Sequence, residues 1–184
     1  MHPPNRRTFV LAATACAVAL PGAASAQHQA QAQPEAATPP RTVPRPLPAE
    51  GAALPLAPAP LLGGGRFDPA QAQGHALVLY WWASWCPFCA QQSPEMQALW
   101  ATQQAHGLRM LTLSIDKKAE DAQAYLRKKG YTFPAAWLSP ELARHYPKPD
   151  GLPVTVVRGK NGRVVQAEKG QLFPEDVAAL ARWA

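Results

Sequence analysis

The hydrophobic pattern along the chain changes character twice. Residues 9–20, FVLAATACAVAL, form one apolar run behind a polar start that carries Arg6 and Arg7. Residues 27–62 have no period, because proline recurs every few positions among Ala and Gln. From Gly63 onward short apolar runs alternate with amphipathic stretches. Ala76–Ala83 and Leu108–Ile115 are apolar enough for buried strands. Residues 87–106 and 119–129 read as helices, with Pro94 expected to kink the first and Gly130 to end the second. Ser139-Pro140-Glu141 starts a brief helix. Residues 153–157 and 164–167 read as strands around an Asn161-Gly162 turn, and 174–183 closes as a helix. Strands alternating with helices predict an α/β domain, a central mixed sheet with helices on both faces.

The first 26 residues have the layout of a bacterial export signal, with Ala24-Ser25-Ala26 offering a cleavage site. Asn5-Arg6-Arg7-Thr8-Phe9 also resembles the twin-arginine motif, so both the general and the twin-arginine routes stay open. Cleavage after Ala26 removes Cys16 and leaves Cys86 and Cys89; a lipid or uncleaved-signal tether is the alternative. Residues 27–62 are expected to be a disordered linker with polyproline II character. The domain boundaries read from sequence are therefore 1–26, 27–62 and 63–184, with the mature protein in the periplasm.

Composition adds one exclusion. The formal charge of +6 is mild, and no basic run is interleaved with aromatics, so nucleic acid is not an expected partner.

The remaining chemistry sits in Trp82-Ala83-Ser84-Trp85-Cys86-Pro87-Phe88-Cys89. Tetrahedral zinc needs more ligands than this pair and the scattered histidines supply. A copper carrier would use the same two thiols, with His145 as a loose third ligand. A disulfide across two residues closes almost no loop, so it is a poor staple. A dithiol fits better. The strand delivers Cys86 to a helix N-terminus, where free N–H groups favour the thiolate, and Cys89 lies one turn deeper.

This lead-in, with LTLSID and Gly151-Leu152-Pro153-Val154-Thr155, resembles the thioredoxin fold. It is most similar to exported thiol–disulfide reductases of the TlpA, ResA and CcmG type, over residues 63–184. The resemblance implies that Cys86 attacks, Cys89 resolves, and Pro153 is a cis-proline facing them, with Leu152 and Trp85 contacting substrate. It implies a monomer with no cofactor beyond the dithiol. It also implies exported disulfide-containing substrates, apocytochrome c among them, and a membrane thiol–electron transporter as donor. An oxidase or isomerase running the same exchange in reverse is the alternative. The chain departs from the pattern where those reductases carry a glutamate, here Gln92, and where thioredoxin carries a buried aspartate, here Tyr80.

Overall fold

The computed structural model describes residues 46–184. The expected export signal, Cys16 and the linker as far as residue 45 lie outside them. In chain order the strands are β1 (Ala59–Pro60), β2 (Arg66–Phe67), β3 (Leu77–Trp82), β4 (Arg109–Ser114), β5 (Ala135–Trp137), β6 (Val154–Arg158) and β7 (Val164–Lys169). The α-helices are α1 (Pro87–Gln103), α2 (Ala119–Lys129) and α3 (Pro174–Ala179).

Five strands make the central sheet in the order β5-β4-β3-β6-β7; β3, β4 and β5 run parallel, and β6 and β7 antiparallel. All six residues of β3 are buried, as its unbroken apolar run predicts for a central strand covered on both faces. Val78, Tyr80 and Trp82 meet one core cluster, and Leu77, Leu79 and Trp81 the other.

The two faces are covered differently. All three α-helices contribute to the Tyr80–Trp82 side, through Met96 and Leu99, Ala122 and Leu126, and Val177, joined by Leu180 just past the end of α3. The crossovers β3–α1–β4 and β4–α2–β5 step the same way across the sheet, so equal handedness puts both helices on one face. The opposite face is capped by short 3₁₀ turns at Pro69–Ala72 and Leu142–Arg144 and by the N-terminal arm.

That arm corrects the expected boundary at residue 63. Residues 46–62 are not a free linker. Gly51 N donates to Val164 O at 2.8 Å, Leu54 N to Gly162 O at 3.1 Å, and Ala53 bridges Arg163. The Tyr146 hydroxyl accepts from Ala57 N at 2.8 Å and donates to Ala57 O at 2.6 Å. Proline removes donors but does not prevent an extended chain from lying on a sheet. Leu54, Leu56, Ala57, Ala59 and Leu61 find apolar partners there.

Two further differences are local. The short strand β5 was not expected; it follows Pro134 and has too few residues to show a period. The segment begun by Ser139-Pro140 makes only the 3₁₀ turn Leu142–Arg144, with Ser139 Oγ accepting from Leu142 N at 3.2 Å.

Candidate active site: a dithiol at a helix N-terminus

β3 ends at Trp82, and a turn closed by Cys86 N donating to Ala83 O at 3.2 Å redirects the chain into α1. Cys86 is the N-cap of that helix with extended backbone, and Pro87 occupies the first turn, where a missing N–H costs nothing. The Cys86 sulfur accepts from Cys89 N at 3.2 Å, so it takes the place of the usual hydroxyl or carboxylate cap. Cys86 and Cys89 form a disulfide with Cα atoms 5.2 Å apart. Both cysteines are largely buried, whereas Trp85 and Phe88 beside them are 65% and 54% exposed.

The second half of the site comes from the start of β6. Val154 pairs with Trp81, so the residues just before β6 lie at the same sheet end as the Cys86 turn. The Leu152–Pro153 peptide bond is cis. Gly151 precedes it at φ +86°, a left-handed backbone that a residue with a Cβ adopts only under strain, with the movable end of the Lys169 side chain 3.1 Å from where that Cβ would stand. Pro153 O accepts from Gly170 N at 2.9 Å, tying the loop to the end of β7. Between these halves runs a groove of about 320 Å³, lined among others by Trp85, Cys86, Phe88, Ile115, Pro149 and Leu152. All five residues singled out from sequence thus meet at one sheet end: Cys86 and Cys89 bonded, Pro153 in cis, Trp85 and Leu152 on the groove.

The departures from the reductase and thioredoxin patterns, Gln92 and Tyr80, are both buried and both neutral. Gln92 is fully buried on α1; its Nε2 donates to Thr155 Oγ1 at 3.0 Å and its Oε1 accepts from Leu172 N at 2.8 Å. Tyr80 lies beneath the helix, its hydroxyl 3.1 Å from Ser93 Oγ and 3.4 Å from Cys89 O. Burial pushes the Tyr80 phenol well above its usual value, only partly offset by the Ser93 contact. Neither side chain can take up a proton from Cys89 in the neutral range.

His145 lines a different, apolar pocket with Trp81 and Tyr146 rather than the dithiol groove. Among the described residues no three His, Cys, Asp or Glu side chains gather as metal ligands. Sequence reasoning assigned no role to Asp116, whose carboxylate reaches back to Ser84. The one signal was its place directly after an expected strand, in the same Ser-Ile-Asp run that carried the resemblance.

Comparison with known proteins agrees with this architecture. The chain is 25% identical over 105 residues to the thiol-disulfide oxidoreductase ResA of Geobacillus thermodenitrificans, covering 57% of this chain and 60% of that protein. It is 23% identical over 115 residues to the sporulation thiol-disulfide oxidoreductase A of Bacillus subtilis, covering 60% of this chain and 67% of that one. A putative thiol:disulfide interchange protein DsbE from Chlorobium tepidum superposes with a TM-score of 0.63 at 28% identity, over 74% of this chain and 95% of its own. A thioredoxin-family interchange protein of the same organism gives 0.66 at 22% identity, over 73% and 96%, which speaks for the fold. Residues 51–167 match the AhpC/TSA family model, a span that begins inside the N-terminal arm and ends in β7, and on that match the chain belongs to the AhpC/TSA family.

Proposed function

We propose that this chain is an exported thiol–disulfide oxidoreductase of the ResA and DsbE kind, working in the periplasm and reducing disulfides of exported proteins. The observation that carries the reading is the Cys86–Cys89 pair at the N-terminus of α1, opened to an apolar groove that the cis-Pro153 loop completes. In the reduced form the Cys86 thiolate, favoured by the helix N-terminus, attacks a substrate disulfide and displaces one substrate thiolate. Cys89, one helical turn away, then attacks Cys86 in the mixed disulfide; the second substrate thiol leaves and the protein keeps the disulfide. Exposed Trp85 and Phe88 with Leu152 suit an extended apolar polypeptide rather than a compact charged one. Apocytochrome c is a candidate substrate and a membrane thiol–electron transporter a candidate donor; the exchange needs no cofactor besides the two thiols, and the protein acts as a monomer.

Reduction of insulin disulfides by dithiothreitol tests this. Wild type should accelerate it, Cys86→Ser should lose the acceleration entirely, and Cys89→Ser should accumulate a mixed disulfide visible by intact mass. Residual turnover in Cys86→Ser would remove the nucleophile assignment. Equilibration with glutathione fixes the direction: a potential near or below about −230 mV belongs with reductases, whereas one near about −120 mV marks an oxidant.

A further inference from the structure

Gln92 and Tyr80 leave the floor of the dithiol without an acid, yet a buried acid does stand nearby. Among the described residues Asp116 is the single buried carboxylate, 4% exposed. It lies two residues past β4, and the parallel register that pairs Trp82 with Ser114 brings it beside the turn leading to Cys86. Its carboxylate accepts Ser84 N at 3.2 and 3.1 Å, Ser84 Oγ at 2.6 Å and Ser114 Oγ at 2.6 Å. The backbone at this point is fixed as well: Asp116 N donates to Ser114 Oγ at 3.1 Å, and Asp116 O accepts Trp137 Nε1 at 2.8 Å.

Such a set of bonds is more than a strand needs in order to end. Three of the four contacts reaching the carboxylate come from Ser84, two positions before Cys86. Consecutive Cα atoms are about 3.8 Å apart, so the negative charge is held within about 10 Å of the Cys86 backbone. The charge is felt at this end of the core: the Tyr125 phenol is pushed up by burial first and by Asp116 second.

We propose that Asp116 is a positioning residue for the dithiol, gripping the Ser84 turn so that Cys86 stays at the helix cap, while its charge restrains the Cys86 thiolate. The inference rests on the oxidoreductase reading for its biological meaning, but not for its test. Grip and charge separate by substitution. Asp116→Asn removes the charge and leaves an acceptor for Ser84 N; Ser84→Ala keeps the charge and removes the shortest bond to the turn.

The measurements are the glutathione equilibrium of the pair and the rate at which iodoacetamide alkylates reduced Cys86, both on the full chain at pH 7. They do not depend on any protein substrate, so failure to turn over insulin would sink the functional reading and leave this one standing. Losing a negative charge within about 10 Å favours the thiolate, so Asp116→Asn should move the equilibrium toward the dithiol by about tenfold, roughly 30 mV, making the pair more oxidising. Ser84→Ala should move that equilibrium far less, yet slow alkylation by about threefold or more as the turn loosens. An Asp116→Asn protein with native circular dichroism and the wild-type equilibrium would overturn the proposal. Should Asp116→Asn fail to fold, Ser84→Ala decides alone: slowed alkylation supports the grip, and a wild-type rate refutes it.

Discussion

Replacing Gln92 by alanine strands two polar groups at once, the Leu172 N–H and the Thr155 hydroxyl, in the interior between α1, β6 and the segment before α3. An orphaned buried partner costs about 1–3 kcal/mol, so Gln92→Ala should lower the urea-unfolding free energy by about 2–4 kcal/mol. An unchanged midpoint would mean that those groups find other partners. Tyr80 makes a different prediction. Its phenol stays protonated in the folded protein at pH values where the unfolded chain, titrating near 10.0, has already lost the proton. The unfolded state therefore binds fewer protons above that pH, and stability falls as pH rises from about 10 toward the raised folded value. Tyr80→Phe should show a shallower alkaline loss of melting temperature than wild type between pH 9 and 12. At this scale the cysteines were legible because their spacing and the strand before them define the chemistry. Asp116 was not, because its partner Ser84 is 32 positions away in the chain.

The elements were mostly readable, and the exceptions share a cause. α1 runs from Pro87 to Gln103 with Pro94 inside it, so the helix continues through the position where the sequence predicts a kink. Proline deletes one helical bond, but Ser93, Met96 and Leu99 are buried on either side of it, and their packing carries the helix through. α2 behaves as its pattern says, with Glu120 and Asp121 in its first turn and Arg127, Lys128 and Lys129 in its last, each suited to the helix dipole. Gly130 ends it at φ +68° with open space around the missing Cβ. Gly130→Ala therefore meets no clash and pays only for the left-handed backbone, about 1 kcal/mol, readable as a small drop in denaturation midpoint. A drop several times larger would point to a contact the glycine makes room for. β5 and the 3₁₀ turn Pro69–Ala72 escaped prediction because such short pieces owe their form to neighbours.

For the whole molecule the consequential finding is the arm. Residues 46–62 cover the sheet face that the α-helices leave open, and the Ala57–Tyr146 pair locks them to the segment before β6. A chain beginning at residue 63 should be less stable than one beginning at residue 46 by about 3 kcal/mol or more, from lost apolar burial and an unpartnered Tyr146 hydroxyl. Urea unfolding followed by tryptophan fluorescence compares the two; equal midpoints would show that the arm contributes nothing. The Tyr146 segment also leads through Pro149 into the dithiol groove, so the shorter chain tests whether the arm steadies the site.

Local sequence was enough for the alternation of strands and helices, the placing of Cys86 at a helix start and the resemblance that named Pro153. Each of these is written in neighbouring residues, through hydrophobic period, capping chemistry and spacing. The folded chain alone settled what requires distant segments to meet. It laid a proline-rich arm on the second sheet face, made Gln92 a neutral clamp across α1, β6 and Leu172, and brought the buried carboxylate of Asp116 to Ser84. Those contacts join residues separated by dozens of positions, and they exist because burial leaves each polar group no partner except the one the fold brings to it.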